Sequence, residues 1–202
     1  MRDRIYLLAV MAIALGSGPA AAQDASLPAV TIFDSICLQC HEGECSGRLA
    51  LRTENNPAAV SGHVKGYAGA QSDGVVAELK ALLGRVKTEC ALPPPPVALP
   101  ADGQWTPALL ESLTVADRLR MFVPLGPLSK QAQRLTIQAD QADRVRIQII
   151  AQTFDIVVDE DMAIGPERRD RPWAVDEAGL HFLRIISKSP LGRLSIRNDA
   201  VR

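Results

Sequence analysis

Ten residues near the amino terminus, ICLQCHEGEC (Ile36 to Cys45), hold three of the chain's four cysteines and one of its three histidines. The spacing Cys-x-x-Cys-His is the attachment signature of c-type haem. On a helical turn Cys37 and Cys40 lie on one face, so both thiols can bond to the two vinyl groups of one porphyrin. His41 follows at once, where its imidazole can reach the iron. The motif therefore predicts one covalent haem c, with His41 as the proximal ligand.

Other chemistries of the same residues fit the sequence less well. A zinc site could use Cys37, Cys40, Cys45 and a histidine or Cys90, but a second matching Cys-x-x-Cys pair is absent from the sequence. A thioredoxin-like pair would need a βαβ context, which the surrounding residues do not supply. A purely structural disulfide would leave His41 without a role. These comparisons favour haem.

The second iron ligand is less clear from the sequence. No methionine lies between residues 23 and 92, so the candidate is His63, in the segment VSGHVKGYAG. A neutral imidazole is a good iron ligand, and a haem held by two histidines would have a lower potential than one with methionine. An open or water-bound position is the next alternative, and a surface-loop histidine with no role in ligation is another. Lys65, Met121 and His181 are minor options.

Two cysteines remain after haem attachment, Cys45 and Cys90. An even remainder in an exported protein predicts a disulfide between them. Two free thiols or an intermolecular bond are the alternatives.

The amino terminus predicts export. Arg2 and Arg4 precede an apolar run from Ile5 to Leu15, and a small-residue pattern ends at Ala22. Residues 1–22 therefore form a predicted cleaved signal peptide, since the run is shorter than the roughly 20 residues of a spanning helix. We expect a periplasmic mature chain with no transmembrane segment. The net charge of −1 indicates no nucleic-acid partner, and the sequence does not specify an oligomeric state.

The chain divides at a proline-rich run, LPPPPVALP, which favours a stiff spacer. We predict a small helical segment at residues 23–92, a linker at 93–100 and a second domain at 101–202. The helical segment ends in an amphipathic helix, SDGVVAELKALLGRVKTEC, in which Val75, Leu79, Leu82 and Val86 share one face. The second domain alternates apolar and polar residues in RLTIQA and VRIQII, and the turn SPLG could close a hairpin. The fold class expected is α + β multidomain, with an all-α domain followed by an antiparallel β-sandwich.

The first segment resembles the cytochrome c family. The resemblance lies in CLQCH after the apolar lead-in LPAVTIFDSI, then Gly43, then the helix from Gly74 to Cys90. It implies thioether bonds at Cys37 and Cys40, a proximal His41, and electron transfer as the activity. It covers residues 23–92 alone, and the methionine ligand typical of the family has no counterpart there.

The second segment resembles the bacterial pre-peptidase C-terminal type of β-sandwich. The order of MFVPLG, RLTIQA, FDIVVDED and AGLHFLRIIS carries the resemblance, with His181 and Phe182 where the family has a tyrosine pair. It implies a non-catalytic binding or docking module.

Two clusters within this segment could bind something. Asp159, Glu160 and Asp161 could hold Ca²⁺ at a strand end, although a solvated turn is the expected interpretation. ERRDRPW could be an interaction surface through Arg168, Arg169, Arg171 and Trp173, or a charged loop with Trp173 packed on the sandwich. His181 is expected to be structural.

Taken together, these features predict a periplasmic monohaem c-type cytochrome. It would carry single electrons to and from a redox partner protein, and an electron carrier is favoured over an enzyme. One alternative is a haem enzyme or ligand sensor with an open sixth iron position. The other is a binding or assembly protein in which the haem is structural.

Overall fold

A computed structural model describes residues 25–41, 62–67 and 72–201. The predicted signal peptide, Cys45 and most of the segment between His41 and Ser72 lie outside the described residues. Within the described ranges, no helix is both long and apolar enough to cross a bilayer.

The helices lie mainly in the first part of the chain. Helix α1, a π-helical segment and helix α2 follow one another without interruption. A helical turn occupies residues 62–65. The bounds are α1 Leu27–Ile32, the π segment Phe33–Cys37, α2 Leu38–His41, α3 Asp73–Glu89 and α4 Pro107–Glu111.

In the described part of the chain, eight strands form two antiparallel sheets, in the orders β1-β8-β3-β6 and β2-β7-β4-β5. The predicted β-sandwich is thereby confirmed. The bounds are β1 Gln104–Trp105, β2 Arg120–Leu128, β3 Ala132–Ala139, β4 Asp143–Ala151, β5 Ile156–Ile164, β6 Arg169–Ala174, β7 Gly179–Ser187 and β8 Leu194–Ala200.

One hydrophobic core fills the space between the sheets. This inter-sheet core includes Leu135 and Ile137 of β3, Ile147 of β4, and Leu183 and Ile185 of β7. These residues occupy alternate positions in their strands, as the period of two requires.

A second core lies on the outer face of the β2-β7-β4-β5 sheet. We call it the helix–sheet core. Phe122, Ile150 and Phe182 of the sheet pack there against α1, the π segment and α3, and the rings of Phe122 and Phe182 stack 5.2 Å apart. β7 is therefore covered on both faces, which explains why LHFLRII reads as a nearly continuous apolar run. The helices and the sandwich share this core.

Helix α3 agrees with the predicted amphipathic helix. Ser72 is its N-cap, and the Ser72 hydroxyl accepts a hydrogen bond from the Val75 amide (3.2 Å). The buried residues are Val76, Leu79, Leu82 and Val86, and Val75 is partly buried and packs against the helix–sheet core.

The proline-rich segment lies against the sandwich. Leu92, Pro93 and Pro95 are buried, and the Leu92 amide donates to the Gln152 carbonyl oxygen (2.9 Å). The segment is thus a packed connection, which differs from the stiff spacer expected, because its apolar side chains find a surface to cover. The boundaries of the predicted domains stay a prediction.

The expected hairpin around SPLG is wrong. β7 pairs with β2 and β4, whereas β8 pairs with β1 and β3. The turn therefore carries the chain from one sheet to the other. ERRDRPW is likewise not a loop throughout, because β6 begins at Arg169 and pairs with β3; Trp173 is buried, as expected.

Candidate haem-attachment site and its polar surroundings

The helix that carries the Cys-x-x-Cys-His motif is fixed at its start. Ser26 is the N-cap of α1, and its hydroxyl accepts a hydrogen bond from the Ala29 amide (3.4 Å). The same serine donates through its amide (2.7 Å) and its hydroxyl (2.6 Å) to the Glu78 carboxylate of α3. These bonds satisfy helix-terminal groups and tie α1 to α3.

A π-helical segment, Phe33–Cys37, lies directly before the motif. Such segments are rare and are frequent at functional sites. Phe33, Asp34, Ser35 and Ile36 are buried in it. The sequence did not predict this change of helical pitch.

Cys37 and Cys40 are both free thiols. Cys37 is half-buried and packs against the helix–sheet core, whereas Cys40 is exposed. Burial raises the pKa of the Cys37 thiol to about 12, with a further rise from the charge of Asp34. Cys37 is therefore a neutral thiol at neutral pH. Within the described part of the chain, no group of three or more histidine, cysteine or carboxylate side chains could hold a metal ion.

The two predicted iron ligands are described unequally. His41 ends α2, but its side chain lies outside the described part of the structure. His63 is exposed on the turn at residues 62–65, and its ring meets that of Tyr67 edge-on at 5.3 Å. Val64 and Tyr67 pack against the helix–sheet core, as Cys37 does. The segment of His63 therefore joins the same core as the motif, while ligation by His41 and His63 stays a prediction.

The minor ligand candidates are engaged elsewhere. Lys65 forms an ion pair with Asp73 (2.5 Å), and the hydrogen bond and charge of Lys65 lower the pKa of Asp73. Met121 belongs to the inter-sheet core. His181 is buried, its Nδ1 lies 3.0 Å from the Gly179 carbonyl oxygen, and its ring contacts Trp173. Met121 and His181 thus lie on the other side of the sheet from Cys37, and His181 has the structural place expected of it.

Cys90 is the C-terminal cap of α3 and is disulfide-bonded. Its predicted partner, Cys45, lies outside the described residues, so the pairing stays a prediction.

A buried polar cluster adjoins the motif on its amino-terminal side. Thr31, Asp34 and Ser35 are buried, and neither Asp34 carboxylate oxygen nor either hydroxyl has a hydrogen-bond partner. Most buried polar atoms in folded proteins are paired, so this cluster is unusual. Burial raises the pKa of Asp34 well above its ordinary value, although the charge of Arg184 acts in the opposite direction. Asp34 is not among the site residues predicted from the sequence. The signal that could have identified it is its position as a lone acid within the apolar segment LPAVTIFDSI.

Arg184 of β7 faces this cluster from the sheet and is buried. Its Nε donates to the Asp34 carbonyl oxygen (3.0 Å), and its Nη1 donates to the Gln148 side-chain oxygen (3.0 Å). The Gln148 amide donates in turn to Asp159 (3.1 Å). Asp159 pairs with Arg146 (2.5 Å), and that hydrogen bond is the main cause that lowers the pKa of Asp159. A continuous series of polar contacts thus joins the π segment to the rim of the sheet and holds Arg184 in place.

The acidic triplet considered as a calcium site lies within β5, not in a turn. Each carboxylate has an arginine partner: Asp159 with Arg146 (2.5 Å), Glu160 with Arg171 (2.5 Å), and Asp161 with Arg144 (3.7 Å). Three guanidinium groups occupy the positions that a cation would need. The geometry therefore favours ion pairs with arginines of β4 and β6 over Ca²⁺.

No protein-family model and no curated protein sequence matches the chain. Solved structures similar to it include a CBM4 carbohydrate-binding module (9% identity, TM-score 0.30, covering 44% of this chain and 66% of that one). A point mutant of the carbohydrate-binding module CBM29-2 has 13% identity and a TM-score of 0.29, covering 42% and 63%. A family two carbohydrate esterase from Cellvibrio japonicus has 9% identity and a TM-score of 0.29, covering 50% and 27%. This chain spans less than two thirds of each of these proteins, and similarities at these values carry no argument about its function.

Proposed function

We propose that this protein is an exported, periplasmic c-type cytochrome with one covalent haem, which carries single electrons between redox partner proteins. The main observation in support is a pair of free thiols, Cys37 and Cys40, which lie at helical spacing and are followed directly by His41. The donor chemistry of these residues fits a porphyrin, because two reduced thiols and one imidazole come from the same helical turn.

In this proposal the protein binds and orients the group. Cys37 and Cys40 would hold the porphyrin through two thioether bonds, His41 would bind the iron, and His63 is the candidate for the second iron ligand. When bound, the haem supplies a one-electron couple between Fe(II) and Fe(III). Cys37 is half-buried and Cys40 exposed, so a group joined to both sulfur atoms would be attached partly toward the core and partly toward solvent. An attachment of this kind suits exchange of electrons with a partner protein.

The sandwich would act as the rigid support and docking module. Packing of the motif helix on Phe122 and Phe182 restricts its movement relative to the sheet, which favours a fixed geometry for any group bound there. The carboxylates of β5 pair with arginines of β4 and β6, as in Asp159–Arg146 and Glu160–Arg171. Such a surface suits recognition of a charged partner, since complementary charge speeds encounter.

The test of this function is expression with haem-ligation machinery, followed by mass spectrometry and a pyridine haemochrome assay. We expect wild type to carry one haem. Cys37→Ala and Cys40→Ala should each lose one thioether bond, with a matching shift of the haemochrome band. Leu109→Ala, at an exposed position far along the chain, serves as the control and should keep both bonds. Wild-type protein recovered without haem would refute the proposal.

His63→Ala tests the second ligand in the same material. We expect the low-spin absorption spectrum to become high-spin, because the iron loses an imidazole. Lys65→Ala, on the same helical turn, is the matched control and should stay low-spin. An unchanged low-spin spectrum in His63→Ala would remove His63 from the site.

A second candidate is a haem enzyme or ligand sensor with an open sixth iron position. The exposed His63 ring, which already contacts Tyr67 at 5.3 Å, favours it. Carbon monoxide added to the ferrous protein separates the two functions, because an open site binds it readily and a six-coordinate carrier does so weakly.

A further inference from the structure

Asp34 is a buried acid to which the proposed function assigns no role. It lies one helical turn before Cys37, inside the π segment, and both of its carboxylate oxygens lack a hydrogen-bond partner. The hydroxyls of Thr31 and Ser35 beside it are also unpartnered. A buried, unpaired titratable group costs stability, so its presence calls for a physical account. A redox role is one of the few that explain such a group.

Among the described residues, Arg184 is the charged group that acts on Asp34. Arg184 of β7 is the buried cation that faces it, and its Nε donates to the Asp34 carbonyl oxygen (3.0 Å). Gln148 of β4 lies behind Arg184 and connects it to Asp159 of β5. β2 carries Arg120, which is already in an ion pair at 2.8 Å. The carboxyl group therefore faces one fixed guanidinium, and a small change in local potential can decide whether it holds a proton.

Asp34 is electrostatically coupled to the attachment site. Its negative charge is one of the causes that raise the pKa of the Cys37 thiol to about 12, after burial. Under the proposed function, Cys37 Sγ is an atom to which the porphyrin bonds. A charge that acts on this sulfur acts also on the group attached to it, since Asp34 is buried and Cys37 is half-buried, so that water screens the interaction weakly. The coupling is reciprocal, so an added electron on the iron must raise the proton affinity of Asp34.

We propose that Asp34 is a proton-binding site coupled to the redox state of the haem, so that it takes up one proton when the haem gains one electron. The proposal rests on the proposed function. The electron comes from the reducing partner protein and the proton from solvent. The O–H bond on the Asp34 carboxylate is the bond that forms, and no bond in the protein breaks. On reoxidation, Asp34 releases the proton.

The experiment is spectroelectrochemistry of the full-length protein with its haem attached, titrated from about pH 4 to about pH 9. We expect the wild-type midpoint potential to fall with rising pH, with a slope approaching 59 mV per tenfold change in proton concentration. Asp34→Asn should remove this slope from the window in which Asp34 titrates. Thr31→Val and Ser35→Ala alter the same cluster without removing the carboxyl group, so they should keep the slope.

Infrared difference spectroscopy supplies a second readout. Reduction of the wild type should produce the C=O stretching band of a protonated carboxylic acid, and the band should be absent from Asp34→Asn. A flat wild-type potential, or a slope and a band that both persist in Asp34→Asn, would overturn the inference. Protein that carries haem and gives either result refutes this inference alone, whereas protein without haem refutes the proposed function and this inference with it.

Discussion

Replacement of Asp34 by Asn gives a direct test of how the buried cluster affects folding. Burial raises the pKa of Asp34 well above 3.8, despite the opposing charge of Arg184. The folded state therefore binds a proton more tightly than the unfolded state does. The stability that this contributes is fully present below the unfolded pKa of 3.8 and is lost as pH rises through the folded pKa. Asn has nearly the same shape and does not titrate.

The magnitude follows from the two unpartnered carboxylate oxygens. A buried polar atom without a partner costs about 1–3 kcal/mol, and more when it is charged. When the carboxyl group is ionised, its attraction to the positive charge of Arg184 offsets part of this loss of stability. We therefore expect the free energy of unfolding of Asp34→Asn, relative to wild type, to rise by about 2 kcal/mol between pH ~4 and pH ~8.

Urea unfolding of both full-length proteins, followed by circular dichroism at a series of pH values, measures this difference. All other titrating groups are common to the two proteins, so their contributions cancel. Asp159→Asn is a control of opposite sign, because the hydrogen bond from Arg146 lowers the pKa of Asp159. Its wild-type contribution is present above the unfolded pKa and is lost as pH falls through the folded pKa. A difference between Asp34→Asn and wild type that stays constant across pH would refute the reasoning.

Three further predictions concern packing and backbone conformation. Phe182→Ala should lower the free energy of unfolding by about 3–5 kcal/mol, because a fully buried ring is removed from the helix–sheet core. Urea unfolding measures this loss of stability, with the exposed-site variant Leu109→Ala as the control. A loss below about 1 kcal/mol would contradict the assigned packing. Gly84→Ala should raise the melting temperature by a few degrees, since the site lies in the middle of α3 with open space around it and alanine favours helix by about 1 kcal/mol. Gly103→Ala should lower the melting temperature, because its φ is +67° and an added Cβ would meet the Asn198 carbonyl oxygen at 2.9 Å; equal melting temperatures for the two variants would contradict both assignments.

The packed helices give the proposed site a physical setting that a free two-domain arrangement would lack. α1 and the π segment contact the sheet through Val30, Phe33 and Ile36. Movement of the motif helix would therefore expose apolar surface, at a cost of about 25 cal/mol per Å². A group attached to Cys37 and Cys40 would keep its position relative to the sandwich, and so relative to any partner docked on it.

The sequence by itself determined the elements whose signal is local. The spacing of Leu79, Leu82 and Val86 predicted α3, and the alternation of Leu135 and Ile137 predicted β3, because helix and strand periods are properties of a few neighbouring residues. The Cys-x-x-Cys-His motif is equally local. The haem attachment proposed for it rests on residue types and spacing alone.

The tertiary structure decided what depends on residues far apart in the chain. Asp34 lies 150 positions from Arg184, and burial on the outer face of the sheet, not any pattern near Asp34, isolates its carboxyl group. Similarly, the strands on either side of SPLG join different sheets, and the acidic triplet of β5 finds arginine partners on β4 and β6. Pairing, burial and the electrostatics that follow from them depend on long-range contacts, which residue spacing does not encode.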